Sequence, residues 1–146
     1  MNVAGCELCG QAGGVLVLAN EWLRVVLVDD PDFPGFARVI WNEHVREMTD
    51  LDPRARGRLL ETVLAVERAQ REVLKPTKIN LASLGNVTPH LHWHVIPRYS
   101  DDSHFPQPIW GPRQRSVRDD AAAERRGRLD LLRRRIAEEV SRVART

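Results

Sequence analysis

Cysteine is nearly absent from this chain, with two in 146 residues. A fold stapled by disulfides needs more, so that scaffold is excluded and a reducing cytoplasm is the expected setting. Long apolar runs are missing as well: none approaches the roughly 20 residues that cross a bilayer as a helix. The opening Met1-Asn2-Val3-Ala4-Gly5-Cys6 has neither a charged n-region nor an apolar h-region, so a secretion signal is not expected. There is no internal repeat and no low-complexity tract.

What remains is an ordinary globular composition, 42% hydrophobic and 29% charged, at a length suited to one domain with a real core. The net charge of +2 hides an asymmetry. Residues 113–146 hold eleven arginines against six carboxylates, whereas residues 1–112 hold 11 basic and 14 acidic side chains. The body is mildly acidic and the tail basic. A solvated helix is the favoured reading of that tail, and a nucleic-acid contact the less favoured one.

Val15–Ala19 and 22–28 read as strands around an Asn20-Glu21 turn. Asp29 to Gly35 is a loop, since its prolines and glycine cannot hold a central ladder. Ala37–Trp41 resumes as a strand. A helix then starts at Pro53, with Asp52 as its cap, and ends at Lys75-Pro76. Leu59, Val63, Val66 and Val73 form its buried stripe. Strands are expected at 78–84 and 91–96. After a loop with prolines at 106, 108 and 112, one long helix is expected over 119–145. Its Leu129, Leu132, Ile136, Val140 and Val143 make a narrow seam for one partner helix. This order of elements suggests an α+β fold.

Chemistry concentrates in Pro89-His90-Leu91-His92-Trp93-His94-Val95-Ile96-Pro97. On a strand, alternate side chains share a face, so the three imidazoles form a row backed by apolar residues. One such histidine can be structural; three on one face are a poor packing choice. A zinc cluster is a second reading, and a nucleophilic site a third, because a neutral imidazole attacks well once its other nitrogen is held protonated. Cys6-Glu7-Leu8-Cys9 is by itself a weak signal: a redox pair, half a zinc site, or coincidence. His104, in Asp101-Asp102-Ser103-His104, is expected on the solvated surface.

The triad with its apolar spacers and trailing Ile96-Pro97-Arg98 resembles the histidine triad (HIT) hydrolases and transferases of nucleotides. The resemblance extends to Asn80, to Gly85-Asn86 and to Gly35 through Val45, and covers about residues 6–98. Within the family it is similar to the short bacterial members described as diadenosine tetraphosphate hydrolase-like. It implies an α+β, HIT-like fold: an antiparallel sheet, one main helix and a C-terminal helical extension. Residues 1–105 would be the catalytic domain with an N-terminal zinc knuckle, and 106–146 a linker and basic helix.

The resemblance also implies roles. His92 would attack the α-phosphorus, with its Nδ1–H held by the His90 carbonyl. His94 would bond phosphoryl oxygens or the leaving-group bridge. Asn80, Asn86 and the amide of Val87 would line the α-phosphate pocket, and Asp30 or Asp29 would bind the ribose hydroxyls. Cys6, Cys9, His44 and His90 would hold a structural zinc, and no organic cofactor is implied. The partners implied are a nucleotide substrate and a second copy in a homodimer, with no membrane. Departures from the family pattern are Asn86 and Val87 in place of Gln and Ser or Thr, and Phe36 and Trp41 in place of a frequent His and Pro. Trp110 reads either as packing over the sheet or as a dimer segment reaching the partner's site. Hydrolysis leads because His94 is retained where uridylyltransferase relatives place glutamine. Nucleotidyl transfer, a non-enzymatic nucleotide-binding module and a catalytic metal centre of all three triad histidines are the alternatives.

Overall fold

Five short antiparallel strands organise the molecule, in the order β1-β2-β3-β5-β4. They are β1 (Val15–Ala19), β2 (Leu23–Leu27), β3 (Ala37–Trp41), β4 (Lys78–Ala82) and β5 (His92–Arg98). The structure, a computed structural model, describes residues 1–145. A one-turn helix α1 (Glu7–Gly10) precedes the sheet, α2 (Pro53–Leu74) joins β3 to β4, and α3 (Asp119–Arg126) and α4 (Leu129–Ala144) close the chain.

Strand alternation sorts the sheet into two faces. Leu23, Val25 and Leu27 of β2, Ala37, Val39 and Trp41 of β3, Ile79 of β4 and Val95 of β5 form one buried core with Leu59, Val63, Val66 and Val73 of α2. The other face carries the histidines. Opposite residues in a ladder share a face, so Arg38 stands with His94 and Ile40 with His92. On β4, Asn80 and Ala82 face the same way, paired with Ile96 and His94.

The expected signals for α2 hold. Asp52 accepts from the Ala55 amide at 2.8 Å, Pro53 occupies the first turn, and Lys75 ends the helix in a left-handed conformation at φ 49°. Gln70 lies buried on this helix, and its Nε2 donates to Gly35 O and Val95 O at 2.9 and 2.8 Å. It thereby fixes α2 to β5 and to the loop before β3. Gly35 sits at φ +87°, and a Cβ there would meet Leu74 Cδ1 at 2.5 Å. Only glycine fits both demands.

Three sequence expectations are corrected. The single helix over 119–145 is two helices, α3 ending at Arg126 and α4 starting at Leu129, with a turn at Gly127-Arg128 between them. At that turn the Arg128 guanidinium bonds the Val73 carbonyl at 3.1 Å near the end of α2. The seam packs within the chain: Leu132, Ile136 and Val140 join the α2 core. Second, β5 begins at His92, not Leu91, so His90 lies outside the ladder. Third, β5 runs through Pro97. There it pairs with β4 alone, so the missing amide leaves no ladder bond unmade. Among the described residues no helix is long and apolar enough to cross a membrane.

Candidate functional site

His92 and His94 project from β5 onto the sheet face opposite the α2 core, and both are buried. The His92 Nδ1–H donates to the His90 carbonyl oxygen at 2.5 Å. A carbonyl only accepts, so Nε2 carries the free lone pair. The His94 ring stands edge-on to His92 with centroids 4.9 Å apart, and its buried Nδ1 has no hydrogen-bond partner among the described residues. Burial pushes both imidazoles below their usual pKa. For His92 the His90 carbonyl opposes that shift and Arg38 adds to it. For His94 the His92 and Arg38 charges reinforce burial, giving about 4. Both rings are therefore neutral at pH 7, the form in which an imidazole is a nucleophile.

Asn80 reaches the same face. Its Oδ1 accepts from Arg98 Nη1 at 2.8 Å, and since arginine only donates, the Asn80 NH2 is left to donate elsewhere. Asn86 and Val87 sit in the exposed loop between β4 and β5, Val87 94% exposed. Asp30 accepts from the Asp32 amide at 2.9 Å and so braces its own loop. Asp29 and Asp30 border a cavity of about 310 Å³ lined also by Gly35, Arg126 and Leu129.

The segment after β5 is folded over the site. Arg98 and Asp102 form a buried pair at 2.8 and 3.1 Å, and Asp102 also accepts from the amides of Tyr99, His104 and Phe105. Trp110, 53% exposed, is carried on this segment and lies edge-on to His94 at 5.1 Å. Its contact is with its own chain's triad. His104 is not solvated surface, as expected from its polar neighbours. It is half-buried, 5.3 Å from the Phe33 ring and hydrogen-bonded to Ser103 Oγ at 2.7 Å.

Sequence reasoning missed Arg38. The available signal was a lone charge in Ala37-Arg38-Val39-Ile40-Trp41, where every other residue is buried.

Cys6, Cys9, His44 and His90 converge, their ligand atoms all within 4.8 Å of one another. The sulfurs of Cys6 and Cys9 are both 3.5 Å from His90 Nδ1, and Cys9 is 3.4 Å from His44 Nδ1. A tetrahedron with Zn–S near 2.3 Å and Zn–N near 2.0 Å has S···N edges of about 3.5 Å. The donor chemistry fits too. His90 Nε2–H donates to Trp41 O at 2.6 Å, which leaves Nδ1 unprotonated toward the sulfurs, the orientation a metal-ligating histidine requires. This cluster could hold a metal ion.

A family model described as HIT domain matches residues 10–101. A histidine triad protein from Bradyrhizobium japonicum shares the fold with a TM-score of 0.71 and 30% identity, covering 86% of this chain and 92% of that one. A histidine triad protein from Marinobacter aquaeolei VT8 does so with a TM-score of 0.69 and 26% identity, covering 89% and 95%. An AP-4-A phosphorylase of Mycobacterium tuberculosis is 28% identical over 98 residues, 63% of this chain. The chain spans about half the length of the curated relatives it matches. The match to the family model runs through more than half of the chain and includes the triad, and this protein belongs to the HIT domain family.

Proposed function

We propose that this protein is a nucleotide hydrolase that cleaves nucleoside-5′-phosphoryl anhydrides or phosphoramidates, such as dinucleoside polyphosphates, through a covalent nucleotidyl-His92 intermediate. The observation that carries this reading is the 2.5 Å bond from His92 Nδ1–H to the His90 carbonyl. It holds the tautomer whose Nε2 is free to attack, and it stabilises the positive charge that the ring acquires.

Nε2 attacks the α-phosphorus, a P–N bond forms, and the P–O or P–N bond to the leaving group breaks with the electron pair on that group. His94 bonds the phosphoryl oxygens or the leaving-group bridge. The Asn80 NH2, Asn86 and the Val87 amide donate to oxygens where negative charge gathers, and Asp30 or Asp29 binds the ribose hydroxyls. Water then attacks the same phosphorus, the P–N bond breaks, and a nucleoside monophosphate leaves with His92 restored.

Cys6, Cys9, His44 and His90 hold zinc in this reading. Four protein ligands leave no open position, so the ion braces the N-terminus and the approach to β5. Residues 1–105 carry the chemistry and 106–146 support it, in a cytoplasmic homodimer whose solution mass is measurable by light scattering.

The likeness to an AP-4-A phosphorylase favours a second reading, in which phosphate rather than water resolves the intermediate. One experiment addresses both. The wild type and His92→Asn are incubated with diadenosine polyphosphates or adenosine phosphoramidate, with and without inorganic phosphate. Acid-labile nucleotidyl protein is trapped. The wild type should yield AMP and a labelled intermediate, and the variant neither. A nucleoside diphosphate formed only with added phosphate would establish transfer, and equal turnover by the variant would remove His92 as nucleophile.

A further inference from the structure

Arg38 is the one residue of the histidine face that packing does not explain. It sits on β3 between Val26 of β2 and His94 of β5, and its four neighbours on the strand are all buried apolar residues. A valine would suit that strand better. Its guanidinium carbon is 5.8 Å from the Phe36 ring, and that ring stands 5.5 Å from the His94 ring, so the cation belongs to the same cluster as the triad.

The group is under-used. Of five N–H donors, Nη1 bonds the Gly13 carbonyl at 2.9 Å, whereas Nε is buried with no partner among the described residues. The Glu7 charge reaches it, but no carboxylate among the described residues forms a salt bridge with it, and its own charge reaches His92 and His94, where it favours the neutral imidazoles. A half-buried cation whose Nε is buried without a partner is costly unless an anion completes it. Guanidinium groups match phosphate oxygens in both charge and donor spacing.

We propose that Arg38 is a phosphate-binding residue of this site, donating to a non-bridging oxygen of the phosphoryl group that His92 attacks. This rests on the reading of the histidine face as a nucleotide site. It names an electrostatic contact on β3, on the opposite side of the triad from Asn80 on β4. It makes the anionic phosphoryl group, rather than the nucleoside, the part of the ligand that Arg38 recognises.

The test is calorimetric titration of the full chain with AMP and with adenosine, for the wild type, Arg38→Gln and Arg38→Lys. Loss of one charge-assisted bond should weaken AMP binding by about 10- to 100-fold in Arg38→Gln. Adenosine binding should be unchanged, and Arg38→Lys should recover part of the loss. Equal AMP affinity in wild type and Arg38→Gln overturns the proposal, as does an equal loss for AMP and adenosine, which would mark a scaffold role through Gly13. Wild type that binds AMP no better than adenosine overturns it too. A readout on the wild type alone guards against a misfolded variant: the Arg38 Nε–H resonance should shift with AMP and not with adenosine, and an unmoved resonance overturns the proposal. Wild type that binds AMP but turns over no dinucleotide removes the hydrolase reading and leaves Arg38 standing.

Discussion

The His90 main chain and the His90 side chain serve different sites: its carbonyl holds His92 Nδ1–H at 2.5 Å, while its ring donates Nε2–H to Trp41 O at 2.6 Å and turns Nδ1 toward Cys6 and Cys9. A residue outside the β5 ladder thus aims the residue that begins it. Whatever fixes the His90 ring also fixes the carbonyl that selects the His92 tautomer.

Metal loss should therefore reach the histidine row. Cys9→Ser, or chelation of the wild type, is expected to remove bound zinc, lower the melting temperature and slow turnover by up to about a hundredfold, the scale of a small misplacement of a reacting group. Metal analysis beside steady-state kinetics checks this. Undiminished zinc in Cys9→Ser would contradict the four-ligand site.

Gln70 offers a test of how α2 is held to the sheet. Gln70→Leu leaves the Gly35 and Val95 carbonyls without their donor, at about 1–3 kcal/mol each. The buried and unpartnered Gln70 Oε1 disappears with it and offsets part of that. Urea denaturation should show a net loss on the order of 2 kcal/mol. A neutral result would mean that the loop before β3 re-pairs elsewhere.

Asp102 organises the segment that carries Trp110. Its carboxyl is 2% exposed beside Arg98 at 3%, so Asp102→Ala strands a buried guanidinium at about 3–5 kcal/mol. Faster proteolysis between residues 99 and 118 should accompany that loss. Burial raises the Asp102 pKa, but the Arg98 bond and the three backbone amides outweigh it and hold the carboxyl below its ordinary 3.8. The stabilising contribution is present above that value and fades as pH falls through the lower folded one.

His94 predicts a different acid dependence. Its folded pKa of about 4 lies below the ordinary 6.5, so between those values the unfolded chain binds more protons and acidification favours unfolding. Stability should fall from pH 6.5 toward 4, by a total on the order of 3 kcal/mol, and His94→Asn should flatten that slope. Trp110→Ala opens the ring to water, and NMR titration should then find the His94 pKa moved up toward 6.5. An unmoved pKa would show that the Phe36 side, not Trp110, keeps the ring dry.

Local signals were legible where they acted locally. Asp52, Pro53 and a stripe at helical spacing are enough to place α2, because capping and amphipathicity involve near neighbours. The same logic failed across 119–145. The apolar seam keeps its helical spacing, while the break at Arg128 accompanies a bond to Val73, 55 residues away. His104 misled for a related reason, since the Phe33 ring that shelters it comes from a loop some 70 residues earlier in the chain.

The histidine row itself was determined by sequence: alternation alone puts His92 and His94 on one face of a strand, with Trp93 and Val95 behind them. What the tertiary structure decided is the surroundings of each ring: Trp41 O, 49 residues away, takes the His90 Nε2–H, the turn at Thr88 brings the His90 carbonyl to His92 Nδ1, and the Phe36 and Trp110 rings flank His94. It also decided that Arg38 stands beside the row, since strand register is set by pairing between β3 and β5 and not by either strand alone. Residue type dictates what chemistry a side chain can do; direction and protonation come from neighbours that only folding supplies.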